Sequence, residues 1–319
     1  MKKLKKIKHL KTKILVVLAL FAIMIADLNP FVVNAGRDNL AYSHGPYLSA
    51  MFDNNSNSYG QYAISTIGAN QAYCIDYGVR APLESASLSY IKTVRSNKLV
   101  SVISNGYPNR TVAQLGANSV DAAYLGTQMA VWQTVNGTGY TKGRAFDINK
   151  IQPAAGYVDV VENAKQVAAN ILSKNTYNPS ISVTGGNVDY NSYVEMNKVG
   201  PFKVNVTDYT YTTFDVTLTN APKGVYVVDK DNRVRKTFNK GEEVYVLVDK
   251  KLDPSTVTLN VKMLANEKVG VIYGAIGSGL QNYVFLDFEQ KEIEAKTTFK
   301  WEKQEGTVEV IKVDQMRYM

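Results

Sequence analysis

This 319-residue chain has few residues of the types that build disulfides, metal centres or catalytic pairs. It contains one cysteine, Cys74, and two histidines, of which only His44 lies beyond the N-terminal leader segment. A single cysteine excludes an intramolecular disulfide, and one cysteine with one histidine cannot supply a zinc site of the His/Cys type. We therefore expect no metal and no cofactor.

The N-terminal segment has the three regions of a secretory signal peptide. Residues 1–13 carry seven lysines and no acidic residue, residues 14–26 are an apolar run, and residues 33–35 read Val-Asn-Ala. A membrane-spanning helix needs about 20 apolar residues, so this run is short for one, and the small residues indicate a cleavage site. We expect residues 1–35 to be removed and no stable membrane span to remain; a signal anchor is the alternative.

The net charge of +8 is mostly a property of this leader. Removing residues 1–35 takes away seven lysines and Asp27 and leaves 29 basic against 27 acidic residues, a net charge of about +2. No basic stripe interleaved with aromatic residues remains, so the sequence gives no argument for a nucleic-acid partner.

The hydrophobic periodicity of the exported part changes near residue 176. Before this point we predict three helices: residues 82–95, which start with a proline; residues 120–135, capped by Ser119; and residues 157–172. After it, apolar and polar residues alternate in short runs separated by Gly, Asn, Asp and Pro, as in an all-β sandwich. The runs are residues 202–206, 214–218, 225–228, 243–248, 257–263 and 283–288.

The predicted fold class is therefore α+β, with two domains after the leader. A mixed β-rich and helical domain is expected over residues 36–176. An all-β sandwich that serves as a stalk is expected over residues 177–303.

Gln128 and Cys74 both lie where the pattern predicts burial. At about 100° per residue Gln128 is at the centre of an apolar helix face, whereas Gln133 lies about 140° away from it. A buried carboxamide is costly unless it is hydrogen-bonded, and a free cysteine is commonly buried, so packing alone explains each residue. An unpaired thiol in an exported protein is nevertheless unusual. The apolar face consists of Leu125, Met129, Trp132 and Val135.

Taken together, two motifs resemble the thioester domains of Gram-positive surface adhesins and pilus-tip proteins. The first is an aromatic-Cys-aliphatic strand motif at residues 73–75, and the second is a Thr-Gln-x-Ala-(Ile/Val)-Trp helix motif at residues 127–132. The resemblance covers roughly residues 40–175. It implies a β-rich part packed on a helical part, bridged by an internal thioester between Cys74 and Gln128.

The resemblance also implies a function. A secreted protein at the cell surface or cell wall of a Gram-positive bacterium would attach covalently to a host or extracellular-matrix protein, whose nucleophile, most simply a lysine amine, attacks the acyl carbon of Gln128. Because each molecule reacts once, we do not expect an enzyme. Tyr73, Asp76 and Thr127 are the candidates for activating the amide, and Trp132 for limiting the access of water.

The C-terminal residues carry a second resemblance. Residues 306–314 are similar to the first strand of a Cna-B-type domain, a family in which a strand lysine forms an isopeptide bond with an asparagine. Lys312 shares a face with two valines, although an exposed or snorkelling lysine explains that position equally well. Because the sequence ends at Met319, we expect residues 304–319 to be the start of a truncated domain and Lys312 to be unpaired.

Two other functions remain open at this point. One is a non-covalent adhesin or structural pilus-type module in which Cys74 is a buried free thiol. The other is a cysteine hydrolase with Cys74 as nucleophile and His44 as base. The hydrolase is the weaker alternative, because His44 lies in a turn-like segment and no third group that would orient it is evident.

Overall fold

The computed structural model describes residues 38–174, 176–190 and 195–303. The predicted signal peptide, residues 1–35, and the predicted start of a Cna-B-like domain, residues 304–319 with Lys312, lie outside the described residues. Within the described ranges, no helix is both long enough and apolar enough to cross a membrane.

The described chain is mixed α+β, which confirms the predicted fold class, and it has two hydrophobic cores. The first core is built on the elements β1 (Leu40–His44), β2 (Leu48–Asp53), β3 (Ser58–Tyr62), β4 (Ser65–Ile67), β5 (Asn70–Cys74), β6 (Ser87–Val94), α1 (Asn97–Ser104), α2 (Val112–Leu115), α3 (Val120–Val135), a 3₁₀ turn (Ile148–Lys150), β7 (Ile151–Pro153) and α4 (Val158–Leu172).

The second core lies between two antiparallel sheets, in the orders β14-β12-β16-β17 and β13-β15-β10-β8, as the period-2 alternation predicts. This part is built on the strands β8 (Ser180–Gly185), β9 (Val188–Asp189), β10 (Met196–Thr207), β11 (Tyr209–Thr210), β12 (Thr213–Thr219), β13 (Val225–Val228), β14 (Thr237–Asn239), β15 (Val244–Asp249), β16 (Thr256–Gly274) and β17 (Asn282–Lys300).

The long hairpin β16–β17 belongs to both cores. In β16, every second residue from Val257 to Ala265 is buried in the sandwich, and every residue from Val269 to Gly274 is buried. Residues 271–273 and 283–285 therefore join the first core. The sequence predicts only residues 257–263 and 283–288 as strands here. The predicted domain boundaries stay a prediction, but the cores do not separate at one point in the sequence.

In the first core, six antiparallel strands close into a ring. The order is β16-β17-β5-β4-β1-β6, and β6 pairs again with β16. The end of β5 pairs with β17, where Cys74 lies opposite Tyr283. Side chains of directly opposed residues lie on the same face of a sheet, so the Tyr283 ring is a neighbour of the cysteine.

Two of the three predicted helices are confirmed. Helix α3 begins after Ser119, whose hydroxyl accepts a hydrogen bond from the Ala122 amide (3.1 Å), and α4 spans the third predicted segment. The predicted helix over residues 82–95 is wrong, because residues 87–94 form β6 and pair with both β1 and β16. Tertiary pairing overrides local helix propensity at this position.

Helix α3 is central, with 13 of its 16 residues buried. It packs closely against α4 at Gly126. A Cβ added there would lie 2.6 Å from Val167 Cγ1 and 2.7 Å from the Ala164 carbonyl oxygen. The glycine thus sets the distance between the helix that carries Gln128 and its neighbour.

We predict that Gly126→Ala destabilises the fold by about 2 kcal/mol, because the added methyl overpacks the contact between the helices. The matched control is Gly139→Ala, where no atom lies within 4 Å of the added Cβ; it should change the free energy of unfolding by less than about 0.5 kcal/mol. Urea denaturation followed by circular dichroism measures both variants. Equal midpoints would contradict the account of the helix contact.

Candidate functional site

The fold brings Cys74 and Gln128 together across 54 residues of sequence. The Cys74 amide donates a hydrogen bond to Oε1 of Gln128 (3.0 Å), and Nε2 of Gln128 donates one to the Cys74 carbonyl oxygen (2.7 Å). Both residues are buried, with 5% and 2% of their surface exposed. The carboxamide is therefore held against the main chain of the residue that carries the thiol.

The Cys74 sulfur lies in an apolar environment with a few N–H groups near it. Burial raises the pKa of the thiol to about 12, which the indole N–H of Trp132 and the main-chain N–H of Asp76 partly oppose. The Asp76 amide donates to Sγ at 3.3 Å. At neutral pH the unreacted cysteine is thus a protonated thiol.

Asp76 positions the cysteine through its carboxylate, which is completely buried. Oδ1 accepts hydrogen bonds from the Lys142 amide (2.8 Å) and the Thr141 hydroxyl (3.1 Å), and Oδ2 accepts one from the Asn282 amide (2.7 Å). This residue thereby joins the chain after Cys74, the loop after α3 and the start of β17. Its carboxylate oxygens face these donors, so its described contacts are those of a positioning group.

Thr127 and Tyr73, the other two residues predicted to activate the amide, hold a neighbouring loop. The Thr127 hydroxyl donates to the Ala123 carbonyl oxygen (2.9 Å) and accepts from the Tyr107 amide (3.0 Å). The Tyr73 hydroxyl donates to the Tyr107 carbonyl oxygen. A Cβ on Gly106 would lie 2.2 Å from Thr127 Cγ2, so the loop approaches the helix closely beside Gln128.

A group of tyrosine hydroxyls lies on the Cys74 side of the ring of strands. The hydroxyls of Tyr42 and Tyr283 are 2.9 Å apart, Tyr283 donates to Oε1 of Gln281 (2.7 Å), and Tyr47 is 3.5 Å from Tyr42. No local pattern identifies these residues, because the contact between Tyr42 and Tyr283 joins strands more than 200 residues apart. The available signal is the alternation of residues 283–288, which predicts a strand but not its partner.

Trp132 lines a surface cavity of about 820 Å³. Its ring centroid is 4.9 Å from that of Tyr77 and 5.2 Å from that of Phe146. Neither Cys74 nor Gln128 lines the cavity. The role of Trp132 in limiting the access of water stays a prediction. Other residues that line the cavity include His44, Tyr47, Tyr59, Arg80, Glu84 and Arg144.

His44 also lines this cavity, but its ring nitrogens face other groups. Nε2 is 3.2 Å from Glu84, and Nδ1 is 2.6 Å from the Gly45 carbonyl oxygen. Both ring nitrogens of His44 are therefore engaged by groups other than Cys74. None of the described hydrogen bonds joins His44 to Cys74, so the hydrolase lacks a nucleophile–base pair here. In the described ranges, no cluster of three His, Cys, Asp or Glu residues is arranged to hold a metal.

Comparison with known families agrees with this geometry. The family model described as "Thioester domain" matches residues 71–176, about a third of the chain, and this segment includes both Cys74 and Gln128. Residues 71–176 are thus similar to thioester domains. Among curated proteins, no sequence matches this chain.

Two solved structures show that the similarity of fold extends beyond this segment. The thioester domain of the Enterococcus faecium TIE86 protein is 18% identical, with a TM-score of 0.64, and the match covers 84% of this chain and 97% of that one. The Bacillus anthracis TIE protein is 17% identical, with a TM-score of 0.65 and coverage of 83% and 49%. The chain thus spans about half the length of the Bacillus anthracis structure.

The raised pKa of the Cys74 thiol gives a prediction for a Gln128→Met variant, which keeps the side-chain volume but has no acyl group. The rate at which iodoacetamide alkylates the folded variant should rise about tenfold per pH unit between about pH 7 and 10. It should not level off near 8.5, the ordinary cysteine pKa, because the folded thiol stays protonated in this range.

The same variant unfolded in urea is the control, and its alkylation rate should level off near pH 9. Because the folded pKa lies above the unfolded value, the stability linked to the neutral thiol is complete below about pH 8.5. It is lost as the pH rises toward 12. If the alkylation rate of the folded variant also levelled off near pH 9, the raised pKa of the Cys74 thiol would be contradicted.

Proposed function

We propose that Cys74 and Gln128 form an internal thioester, and that the protein is a bacterial surface adhesin that uses it for covalent attachment. The observation that carries the proposal is the pair of hydrogen bonds between the Gln128 carboxamide and the main chain of Cys74. Such proximity converts a bimolecular reaction into an intramolecular one, which greatly raises the effective concentration of the two groups.

Formation of the bond is a balanced acyl transfer. The Cys74 sulfur attacks the carboxamide carbon of Gln128, the C–N bond breaks, and the nitrogen leaves as ammonia with the thiol proton. Oε1 already accepts a hydrogen bond from the Cys74 amide (3.0 Å), a donor of the kind that stabilises a developing oxyanion. The reaction needs no cofactor and occurs once per molecule, so the protein is not an enzyme in this proposal.

Attachment is the second transfer. A neutral amine of a partner protein, most simply a lysine side chain, attacks the same carbon. The C–S bond breaks, an amide joins the partner to Gln128, and Cys74 regains a proton. The cavity beside Trp132 is the proposed approach route. In this proposal the packing of Trp132 against the rings of Tyr77 and Phe146 limits hydrolysis of the thioester.

The cellular setting forms part of the same proposal. A secreted protein on the surface of a Gram-positive bacterium would meet host or extracellular-matrix proteins, which supply accessible lysines. A covalent link is also not subject to the limit of about −20 kcal/mol on the free energy of non-covalent complexes. The predicted signal peptide supports export.

One observation favours the non-covalent alternative. Both polar atoms of the Gln128 carboxamide are already hydrogen-bonded, so the residue is also satisfied as an unreacted core glutamine. In that case Cys74 remains a buried thiol, and the protein binds its partner only through its surface.

Intact mass spectrometry of the purified protein distinguishes the two. We predict that the wild-type protein lacks the mass of one ammonia and gains one methylamine when treated with that amine. Cys74→Ala and Gln128→Met should have their full calculated masses. Gln133→Ala, on the same helix but partly exposed, should retain the deficit. A full mass for the wild-type protein would exclude the thioester and leave the non-covalent module.

A further inference from the structure

The indole N–H of Trp132 is a polar group that the packing of the core does not explain. Trp132 is buried, with 4% of its surface exposed, and no atom of the described residues meets hydrogen-bond geometry with Nε1. A buried N–H without a partner costs free energy, so its retention requires a reason.

The surroundings of this N–H suggest one. Trp132 follows Gln128 by four residues, so both side chains lie on the same face of α3. The Gln128 carboxamide in turn contacts the Cys74 main chain, and the Trp132 ring packs against the ring of Tyr77, three residues after Cys74, at 4.9 Å between centroids. These contacts hold the indole against the segment that carries the sulfur, and the direction of its effect on the Cys74 thiol pKa agrees with that placement. A second N–H, that of Asp76, already donates to this atom at 3.3 Å.

Trp301 gives an internal comparison. Its indole N–H is also buried without a described partner, but the residue belongs to the second core, where no cysteine lies. An orphaned indole N–H therefore has no functional meaning by itself. What distinguishes Trp132 is its position one helical turn after Gln128, whose carboxamide contacts Cys74.

We propose that the Trp132 indole N–H donates a hydrogen bond to the Cys74 sulfur when that atom carries negative charge, which makes Trp132 a catalytic residue of both acyl transfers. This inference rests on the proposed thioester and goes beyond the role of Trp132 as a barrier to water. It assigns the residue to the reaction itself.

The need for such a donor follows from the electron balance. During formation, the thiol gives up its proton and the sulfur lone pair forms the C–S bond. During attachment, the C–S bond breaks, its electron pair returns to the sulfur, and the proton lost by the attacking amine restores the thiol. Each transition state has negative charge on a buried sulfur, and burial disfavours that charge. Hydrogen bonds to a charged acceptor are the stronger kind.

The test replaces one atom. The chain has two tryptophans, so a Trp301→Phe variant contains only Trp132. Growing this variant with 3-benzothienylalanine in place of tryptophan exchanges the N–H for a sulfur atom and keeps the shape of the ring. We predict that the methylamine reaction slows about tenfold or more, since a hydrogen bond to a charged group has a net value of that order. The thioester fraction from intact mass and the rate of thiol release measure both steps.

Trp301→Phe with natural tryptophan is the matched control and should react at the wild-type rate. If this control lacks the ammonia deficit, the proposed thioester itself fails. If the deficit is present and the analogue reacts at the control rate, Trp132 is only a barrier and the inference is overturned. An analogue protein that keeps its circular dichroism spectrum but does not form the thioester would support the donor in the first step.

Discussion

The arrangement of the site depends on two hydrogen bonds that join the Gln128 carboxamide, on α3, to the main-chain N–H and C=O of Cys74 at the end of β5. A helix side chain can reach a strand in this way only if the helix, the strand and the loops beside them are fixed relative to one another. Each of the three positioning residues described above contributes to that requirement. Asp76 fixes the chain just after the cysteine, while Thr127 and Tyr73 fix the loop beside the glutamine.

Burial has two opposing effects on this chemistry. It would keep water away from the proposed thioester, and it also makes the charged sulfur less stable. A site of this kind therefore needs N–H groups close to the sulfur in an otherwise apolar environment. The main-chain amide of Asp76 supplies one such N–H group. The carboxylate of the same residue holds that stretch of main chain in place.

The local parts of this site could be predicted from sequence, and the long-range parts could not. The spacing of residues 127–132 located the helix face, and Ser119 located the start of α3, because caps and periodicity act over a few residues. The pairing of Cys74 with Tyr283 depends on strands separated by more than 200 residues, which no local pattern encodes. The incorrect helix at residues 82–95 has the same origin, since β6 is defined by its neighbours in the ring.

The roles of the motif residues divide in a similar way. Residue types make Tyr73, Asp76 and Thr127 candidates for activating the amide, and that role stays a prediction. Most of their described hydrogen bonds are with the backbone of neighbouring segments. Main-chain partners of this kind, such as the amides of Tyr107 and Lys142, cannot be recognised in the sequence, because almost every residue type supplies a main-chain N–H.

Under the proposed covalent attachment, the hairpin β16–β17 would determine how the molecule bears load. Tension between the C-terminal end of the described chain and a partner bonded near Cys74 would act along the 19 residues of β17. The hydrogen bonds of an antiparallel pair are perpendicular to its strands, so a pull along the strand loads many of them together. The two cores would then resist such a pull together, because the whole hairpin lies between its two points of application.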